Sequence, residues 1–227
     1  MRVRKAVITA AGDRHASLPL QSVVDRSGEV RTALRLTLDE IVQSGVEDIA
    51  IVIRPGQQDS YLSAAGPHAS RLIFFEQHNP RGYGDAILRT ADFVQQQPFL
   101  HLVSDHLYLS RTDQPCARQL LEMAARHECS VSAIQPTREN EIVHFGTVGG
   151  SPVAREQGLY EVSAVIEKPT PTVAEQRLIV AQKCADDQHP IGLTHLRQLH
   201  SERWYTRKET IKTCLSQPGT KINRVAL

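Results

Sequence analysis

The sequence predicts an α/β protein built on a doubly wound, mainly parallel sheet. Short apolar runs bounded by Gly or Pro indicate buried strands. Between these runs, apolar residues recur at helical spacing. The two patterns alternate from residue 6 to residue 135, as expected when parallel strands are joined by crossover helices.

The first elements are a strand and a helix separated by a polar segment. A buried strand is predicted at residues 6–10, and it enters a tight turn at Ala11-Gly12. Residues 13–29 are polar and contain turn-forming Pro and Gly residues. A helix is then predicted between Thr32 and Gly45, which suit its first and last caps. Its apolar stripe consists of Leu34, Leu38, Ile41 and Val42.

Further strands and helices follow in alternation. Strands are predicted at residues 49–53, 71–76, 99–103 and 130–135, and helices at residues 57–65, 84–94 and 114–127. Downstream, residues 146–148 and 159–167 resemble two strands joined by a turn. Because ligands of doubly wound sheets bind beyond the carboxyl ends of the strands, we expect a site in the loops after Ala10, Glu76 and Val103.

Composition excludes several classes of partner. The 227 residues include 26 Lys and Arg against 25 Asp and Glu, a net charge of +1, which gives no electrostatic footprint for nucleic acid or an anionic membrane. The basic N-terminus precedes an apolar stretch too short for a signal peptide or a membrane span. Four cysteines without a Cys-x-x-Cys pair favour free thiols in a cytoplasmic protein. Any phosphate chemistry must therefore come from a local site, and the composition is compatible with a homo-oligomer.

Five segments, in a fixed order, carry a resemblance to a known family. They are residues 5–12, 76–86, 99–105, 145–148 and 158–169. Their sequence and order resemble the sugar-1-phosphate nucleotidyltransferases, whose domain is Rossmann-like. Gly-Leu-Tyr at residues 158–160 and Glu-Lys-Pro at residues 167–169 are similar to the uridylyltransferase branch. The resemblance implies an enzyme that joins UTP and glucose 1-phosphate to give UDP-glucose and pyrophosphate.

The resemblance also implies a nucleotide site on the first two segments. Ala10, Ala11 and Gly12 would bring backbone N–H groups close to a base or phosphate. Gln77 has an amide donor and acceptor and could pair with the edge of a uracil, while Gly82 would allow a bend beside that base. The alternatives are that Gly12 is only a turn glycine and that Gln77 is an exposed polar residue after a strand.

The later segments imply a metal ligand and a sugar site. Asp105 would bind Mg²⁺, the expected cofactor, and act in catalysis through it. Lys168 would place a positive charge on the sugar phosphate, Glu167 would accept hydrogen bonds from sugar hydroxyls, and Gly146 would leave room for the ring. The alternatives are a helix-capping role for Asp105 and surface charges at Glu167 and Lys168.

The first loop departs from the family pattern Gly-x-Gly-x-Arg, in which the Arg grips the triphosphate. Ala16 occupies the position of that Arg, so Arg14 is the candidate catalytic cation of a rebuilt loop. Asp13 would repel phosphates there, and the family's Pro-Lys element is missing. This departure favours an alternative function, a non-catalytic protein that binds UTP or a UDP-sugar.

The resemblance fades near Val180. We therefore expect a nucleotidyltransferase domain at residues 1–180 and an atypical segment at residues 181–227, which has the character of a truncated or frame-altered end. Neither Asp186 nor Asp187 is assigned to the metal. The spacing of the Cys and His residues in this segment fits no common zinc site.

Overall fold

The computed structural model describes residues 2–12, 17–25, 27–79, 81–110, 112–134, 139–156, 158–177, 193–195 and 222–226. The chain divides into two compact units, Met1–Tyr108 with Pro115–Leu121 and Leu109–Gln114 with Glu122–Leu227. No helix among these described ranges is long and apolar enough to cross a membrane.

The described elements alternate along the chain. The strands are β1 (Lys5–Thr9), β2 (Ser22–Val24), β3 (Val30–Thr32), β4 (Asp48–Ile53), β5 (Leu72–Glu76), β6 (Phe99–Val103), β7 (Tyr108–Ser110), β8 (Ser130–Ala133), β9 (Gly146–Pro152), β10 (Leu159–Glu167), β11 (Leu193–His195) and β12 (Ile222–Ala226). The helices are α1 (Ala33–Gln43), α2 (Gln58–Ala65), α3 (Tyr83–Leu88), α4 (Ala91–Val94), α5 (Cys116–His127) and α6 (Pro171–Arg177).

The first unit contains a four-stranded sheet in the order β5-β4-β1-β6, with every adjacent pair parallel. Its two central strands are almost wholly buried, with Val7 and Ile51 at 0% exposure. Burial on both faces explains why these strands are continuous apolar runs. The predicted strands in this part of the chain are confirmed.

Side chains of the central strands alternate between two hydrophobic layers. Ile8 packs in one layer with Leu38 of α1 and Tyr61 of α2. Val7 packs in the other with Ala86 of α3 and Val94 of α4. Helices thus cover both faces of the sheet, and the predicted doubly wound α/β fold is confirmed.

Helix α1 begins and ends as its sequence predicts. The Thr32 side chain accepts a hydrogen bond from the Arg35 amide at 3.1 Å and donates to the Ala64 carbonyl at 2.6 Å. At the other end, Gly45 adopts φ +87 and donates to the Val42 carbonyl at 3.0 Å. Both caps satisfy backbone groups that a helix leaves unpaired.

The prediction of a single helix at residues 84–94 is wrong, because the chain forms two short helices there, α3 and α4. Between them Thr90 is fully buried, and its hydroxyl donates to the Ile87 carbonyl at 2.7 Å. A threonine that bonds locally to a carbonyl competes with the helical pattern, and the helix is interrupted at this residue.

The second half of the polar segment at residues 13–29 forms part of a β-hairpin. Strands β2 and β3 pair antiparallel around a turn organised by Asp25. Its Oδ1 accepts hydrogen bonds from the amides of Ser27 and Glu29 at 2.8 and 3.0 Å. Three-residue strands are too short for a periodic pattern to reveal them.

The second unit contains a mixed sheet in the order β8-β12-β10-β9. Strand β8 pairs with β12 of this mixed sheet. Its place in the alternation had indicated a further strand of the parallel sheet, and that expectation is wrong. The predicted strands β9 and β10 are confirmed as an antiparallel pair. A Cβ at Gly150 would overlap the Glu161 carbonyl oxygen and lie 2.9 Å from its carbonyl carbon, so glycine allows this close approach.

The predicted boundary near Val180 lies outside the described residues, as do Cys184, Asp186, Asp187, His189 and His200. Within the segment 181–227, only β11 and β12 are described. The division at residue 180 remains a prediction.

Candidate active site

Parallel pairing brings three loops to one edge of the first unit's sheet. Each loop is held by a backbone hydrogen bond to the neighbouring strand. The amides of Ala10, Gln77 and Ser104 donate to the carbonyls of Val52, Ile53 and Thr9 at 2.8, 2.9 and 3.2 Å. The edge that carries the predicted nucleotide and metal residues is therefore fixed by the sheet itself.

The buried side chain of Tyr61 and the half-buried side chain of Arg54 support the start of the first loop. Ala10 and Ala11 are each 3% exposed. The Tyr61 hydroxyl donates to the Ala10 carbonyl at 3.5 Å, and the Arg54 Nε donates to the Ala11 carbonyl at 3.2 Å. Burial raises the pKa of Tyr61 to about 12, so its hydroxyl stays protonated and remains a donor.

Gly12 ends this described stretch of the loop. A Cβ added there would meet nothing within 4 Å among the described atoms, and the residue has no positive φ. Within the described residues, neither packing nor backbone conformation requires glycine at this position. Arg14, the candidate catalytic cation, lies outside the described residues together with Asp13 and Ala16.

Gln77 is buried rather than exposed. Only 3% of its surface is accessible, so the alternative of an exposed polar residue is wrong. Its Nε2 donates to Asp85 Oδ2 at 2.6 Å and to the Gly82 carbonyl at 3.4 Å. Gly82, predicted to allow a bend, adopts φ +111 directly before α3. Residues other than glycine rarely adopt this backbone conformation.

Asp85 links Gln77 to Arg89. The Asp85 Oδ2 that accepts from Gln77 also accepts from the Arg89 Nε at 3.2 Å. The hydrogen bond from Gln77, followed by that from Arg89, lowers the pKa of Asp85. Asp85 is therefore an ionised acceptor near neutral pH.

His101 in β6 contacts both Thr9 of the neighbouring strand and Tyr83 at the start of α3. His101 Nε2 lies 3.2 Å from Thr9 Oγ1. Its ring stacks on Tyr83, with the centroids 5.6 Å apart and the planes at 20°. Burial lowers the pKa of His101 to about 4, so the ring is neutral near pH 7.

Asp105 lies in a turn that leads into β7, not into a helix. The alternative that it caps a helix is therefore wrong. Its side chain is 24% exposed, and Oδ1 lies 3.9 Å from the buried His106 Nε2. Burial, with a contribution from the negative charge of Asp105, raises the pKa of Tyr108.

This carboxylate fits Mg²⁺ as a single hard ligand. Among the described parts of the chain, no three His, Cys, Asp or Glu side chains gather around one point. Mg²⁺ commonly uses one or two protein carboxylates and completes its shell with phosphate oxygens and waters. A partly exposed carboxylate at the strand edge suits that arrangement.

The predicted sugar residues lie together in the second unit. Gly146 and Glu167 are directly opposite each other in the β9–β10 pair. The next amide, that of Lys168, donates to the Phe145 carbonyl at 3.0 Å, and Lys168 adopts φ +47. The side chain of Lys168 is exposed, whereas Glu167 is half-buried.

Glu167 retains an unused acceptor. Its Oε2 is buried and has no hydrogen-bond partner within the described structure. Burial raises the pKa of Glu167, and the positive charge of Lys168 opposes this effect. A buried carboxylate oxygen without a donor is costly, which suits a group that receives hydrogen bonds from a ligand.

Several residues at the nucleotide edge were not predicted from the sequence, among them Asp85, Arg54 and His101. Asp85 carried a weak signal, since an Asp four residues before an Arg suggests a helical pair. Arg54 could have been noticed as a basic residue directly after a buried strand. His101 gave no signal, because a lone histidine in a strand is compatible with many roles.

Comparisons with known proteins identify relatives. The profile of the family described as Nucleotidyl transferase matches residues 26–185. A putative UTP–glucose-1-phosphate uridylyltransferase of Bacillus subtilis (strain 168) is 28% identical over 192 residues, which cover 74% of this chain and 69% of that protein. A UTP–glucose-1-phosphate uridylyltransferase of Streptococcus pneumoniae serotype 4 is 28% identical over 212 residues, with 79% and 69% covered.

Solved structures share the fold. A UDP-glucose pyrophosphorylase complexed with UDP-glucose aligns with a TM-score of 0.64 and 20% identity, over 75% of this chain and 71% of that chain. A UTP-bound UGPase from Acinetobacter baumannii aligns with a TM-score of 0.62 and 19% identity, over 75% and 69%. The fold of this chain is therefore that of the nucleotide-sugar transferases.

Proposed function

This chain belongs to the nucleotidyl transferase family, and we propose that it joins UTP and glucose 1-phosphate to give UDP-glucose and pyrophosphate. The observation that carries the proposal is the common sheet edge that holds the first loop, Gln77 and Asp105. Relatives named as uridylyltransferases, aligned over 69% of their length, support uridine and glucose as the substrate parts.

The nucleotide would bind at this edge through its base and phosphates. The Gln77 oxygen would accept a hydrogen bond from the uracil, since its nitrogen donates to Asp85. The backbone of Ala10 and Ala11, held by Tyr61 and Arg54, would offer amides to the nucleotide, and Gly12 would leave space for it. Arg14 is proposed as a phosphate-binding cation, and Arg54 adds a second positive charge at the start of the same loop.

Asp105 would hold the Mg²⁺ ion. When bound, the ion neutralises phosphate charge and polarises the α-phosphorus. The role of Asp105 is to keep one carboxylate oxygen at the carboxyl end of β6, where the backbone bond from Ser104 to Thr9 fixes the turn.

The sugar phosphate would bind through the second group of residues. The unpartnered Oε2 of Glu167 would accept a hydrogen bond from a sugar hydroxyl. Lys168 would pair with the phosphate as a compact cation. Gly146, opposite Glu167 in the strand pair, would leave room for the ring.

The reaction is an in-line displacement at phosphorus. An oxygen of the sugar 1-phosphate forms a bond to the α-phosphorus of UTP, and the bond from that phosphorus to the bridging oxygen of pyrophosphate breaks. No covalent enzyme intermediate is needed. The residues contribute by positioning both substrates and by stabilising negative charge.

The comparisons favour this transferase activity over the non-catalytic alternative, which keeps the base and sugar contacts but has lost the Arg and Lys of the first loop. Mg²⁺ as the ion and a cytoplasmic location belong to the same proposal. A pyrophosphate-release assay with UTP, glucose 1-phosphate and Mg²⁺ separates the two functions.

We expect turnover by the wild-type chain and a loss of about 10²–10³-fold or more in Asp105→Ala. Asp92→Ala is the matched control, because Asp92 is an exposed carboxylate in the first turn of α4. UDP-glucose binding without turnover by the wild-type chain would instead establish the non-catalytic function.

A further inference from the structure

The Gln77 amide is held in one orientation. Its Nε2 lies 2.6 Å from Asp85 Oδ2 and 3.4 Å from the Gly82 carbonyl oxygen. An ionised carboxylate and a carbonyl can only accept hydrogen bonds. A flipped amide would place its oxygen against these acceptors, so the surroundings select the orientation with the nitrogen towards Asp85.

Asp85 is itself fixed in position and charge. Arg89, one helical turn later, donates from Nε to the same Oδ2 at 3.2 Å. The hydrogen bond from Gln77 and the charge of Arg89 lower the pKa of Asp85. The carboxylate therefore remains acceptor-only throughout the neutral range, and hydrogen bonds to charged groups are about twice as strong as neutral ones.

We propose that Asp85 is a positioning residue that sets the base selectivity of the site by directing the oxygen of Gln77 towards the nucleotide. This inference rests on the proposed function. An oxygen in that place accepts the N3–H of uracil or thymine. Cytosine presents an unprotonated N3 there, and two acceptors repel each other. Asp85 thus favours UTP over CTP without touching either nucleotide.

Replacing Asp85 by asparagine tests orientation rather than packing. Asparagine has nearly the same shape, but its side chain offers an acceptor and a donor. Gln77 can then bond to it in either orientation, and the flipped amide presents a nitrogen that donates to the N3 of cytosine. Asp85→Asn is therefore expected to relax selectivity.

The experiment measures dissociation constants for UTP and CTP by calorimetry, with kcat/KM for both nucleotides in the pyrophosphate-release assay. The wild-type chain should prefer UTP. In Asp85→Asn the preference should fall by about tenfold or more, the range expected for one hydrogen bond to a charged group. Asp92→Asn, the same change at an exposed site on α4, should keep the wild-type ratio. Thermal unfolding checks that both variants are folded.

Equal weakening of UTP and CTP binding in Asp85→Asn, or an unchanged ratio, would overturn the inference while leaving the proposed function standing. The inference about Asp85 would also be overturned, with the proposed function still standing, if Asp85→Asn does not fold and Asp85→Ala retains the full preference for UTP. A wild-type chain that binds neither nucleotide would overturn the proposed function, and the role of Asp85 with it.

Discussion

Acidification should destabilise the first unit through His101. Burial lowers the pKa of this side chain from 6.5 to about 4. A group whose pKa is lowered by folding binds fewer protons in the folded state, so its contribution to stability is complete above pH 6.5 and is lost as the pH falls towards 4. At pH 5 the unfolded chain holds the proton and the folded chain does not, which corresponds to a loss of about 2 kcal/mol relative to pH 7.

The measurement is urea unfolding at several pH values between 7.5 and 5, with an NMR titration of the histidine rings. Carboxylates also titrate towards this range, so the comparison is with His101→Gln, which can still bond to Thr9 but carries no titratable group. Its stability should fall by roughly 2 kcal/mol less than that of the wild type between pH 7 and pH 5. His78→Gln is the matched control, because the His78 side chain is 67% exposed.

The reasoning would be refuted by an NMR pKa of 6.5 or above for His101, or by identical pH profiles of wild type and His101→Gln. The outcome also concerns the nucleotide edge, since His101 stacks on Tyr83 at the start of α3.

Two further predictions concern the second unit. Glu167→Gln should raise the KM for glucose 1-phosphate by about tenfold, the effect of one charged hydrogen bond, while the KM for UTP stays within about twofold. Glu161→Gln, at an exposed position on the same strand, is the control. A wild-type KM for the sugar phosphate in Glu167→Gln would contradict the assigned role. Gly150→Ala should destabilise the protein by about 1–3 kcal/mol in urea unfolding, because its Cβ would overlap backbone atoms. Gly12 has no described atom within 4 Å of an added Cβ, so Gly12→Ala should change stability by less than about 0.5 kcal/mol. Equal losses at both glycines would disprove the steric argument.

Much of the first unit could be predicted from the sequence because its signals are local. Strand β4 is buried on both faces and appears as an uninterrupted apolar run. Helix α1 carries its own start and end at Thr32 and Gly45. The break at Thr90 was missed because it depends on a hydrogen bond that one hydroxyl makes after burial, and no periodicity records that.

In the candidate site, too, the sequence could single out some residues but not the contacts that depend on the fold. Gln77 and Asp105 could be singled out because they match motifs of the family that the sequence resembles. They also follow predicted strands, where the fold rule places ligands. Asp85 was missed as a partner of Gln77 because their contact depends on the path of the chain through Gly82. The pairing of β8 with β12 is likewise a long-range choice, which alternation of strands and helices does not determine.

The two faces of the parallel sheet are covered unequally. On one face, α1 has 11 residues and α2 has 8. On the other, α3 has 6 and α4 has 4. Helices this short have little stability of their own and depend on their few buried side chains, so local opening should require less free energy on that face. Amide hydrogens of α3 and α4 would then exchange with solvent earlier than those of α1, while the strands beneath remain protected.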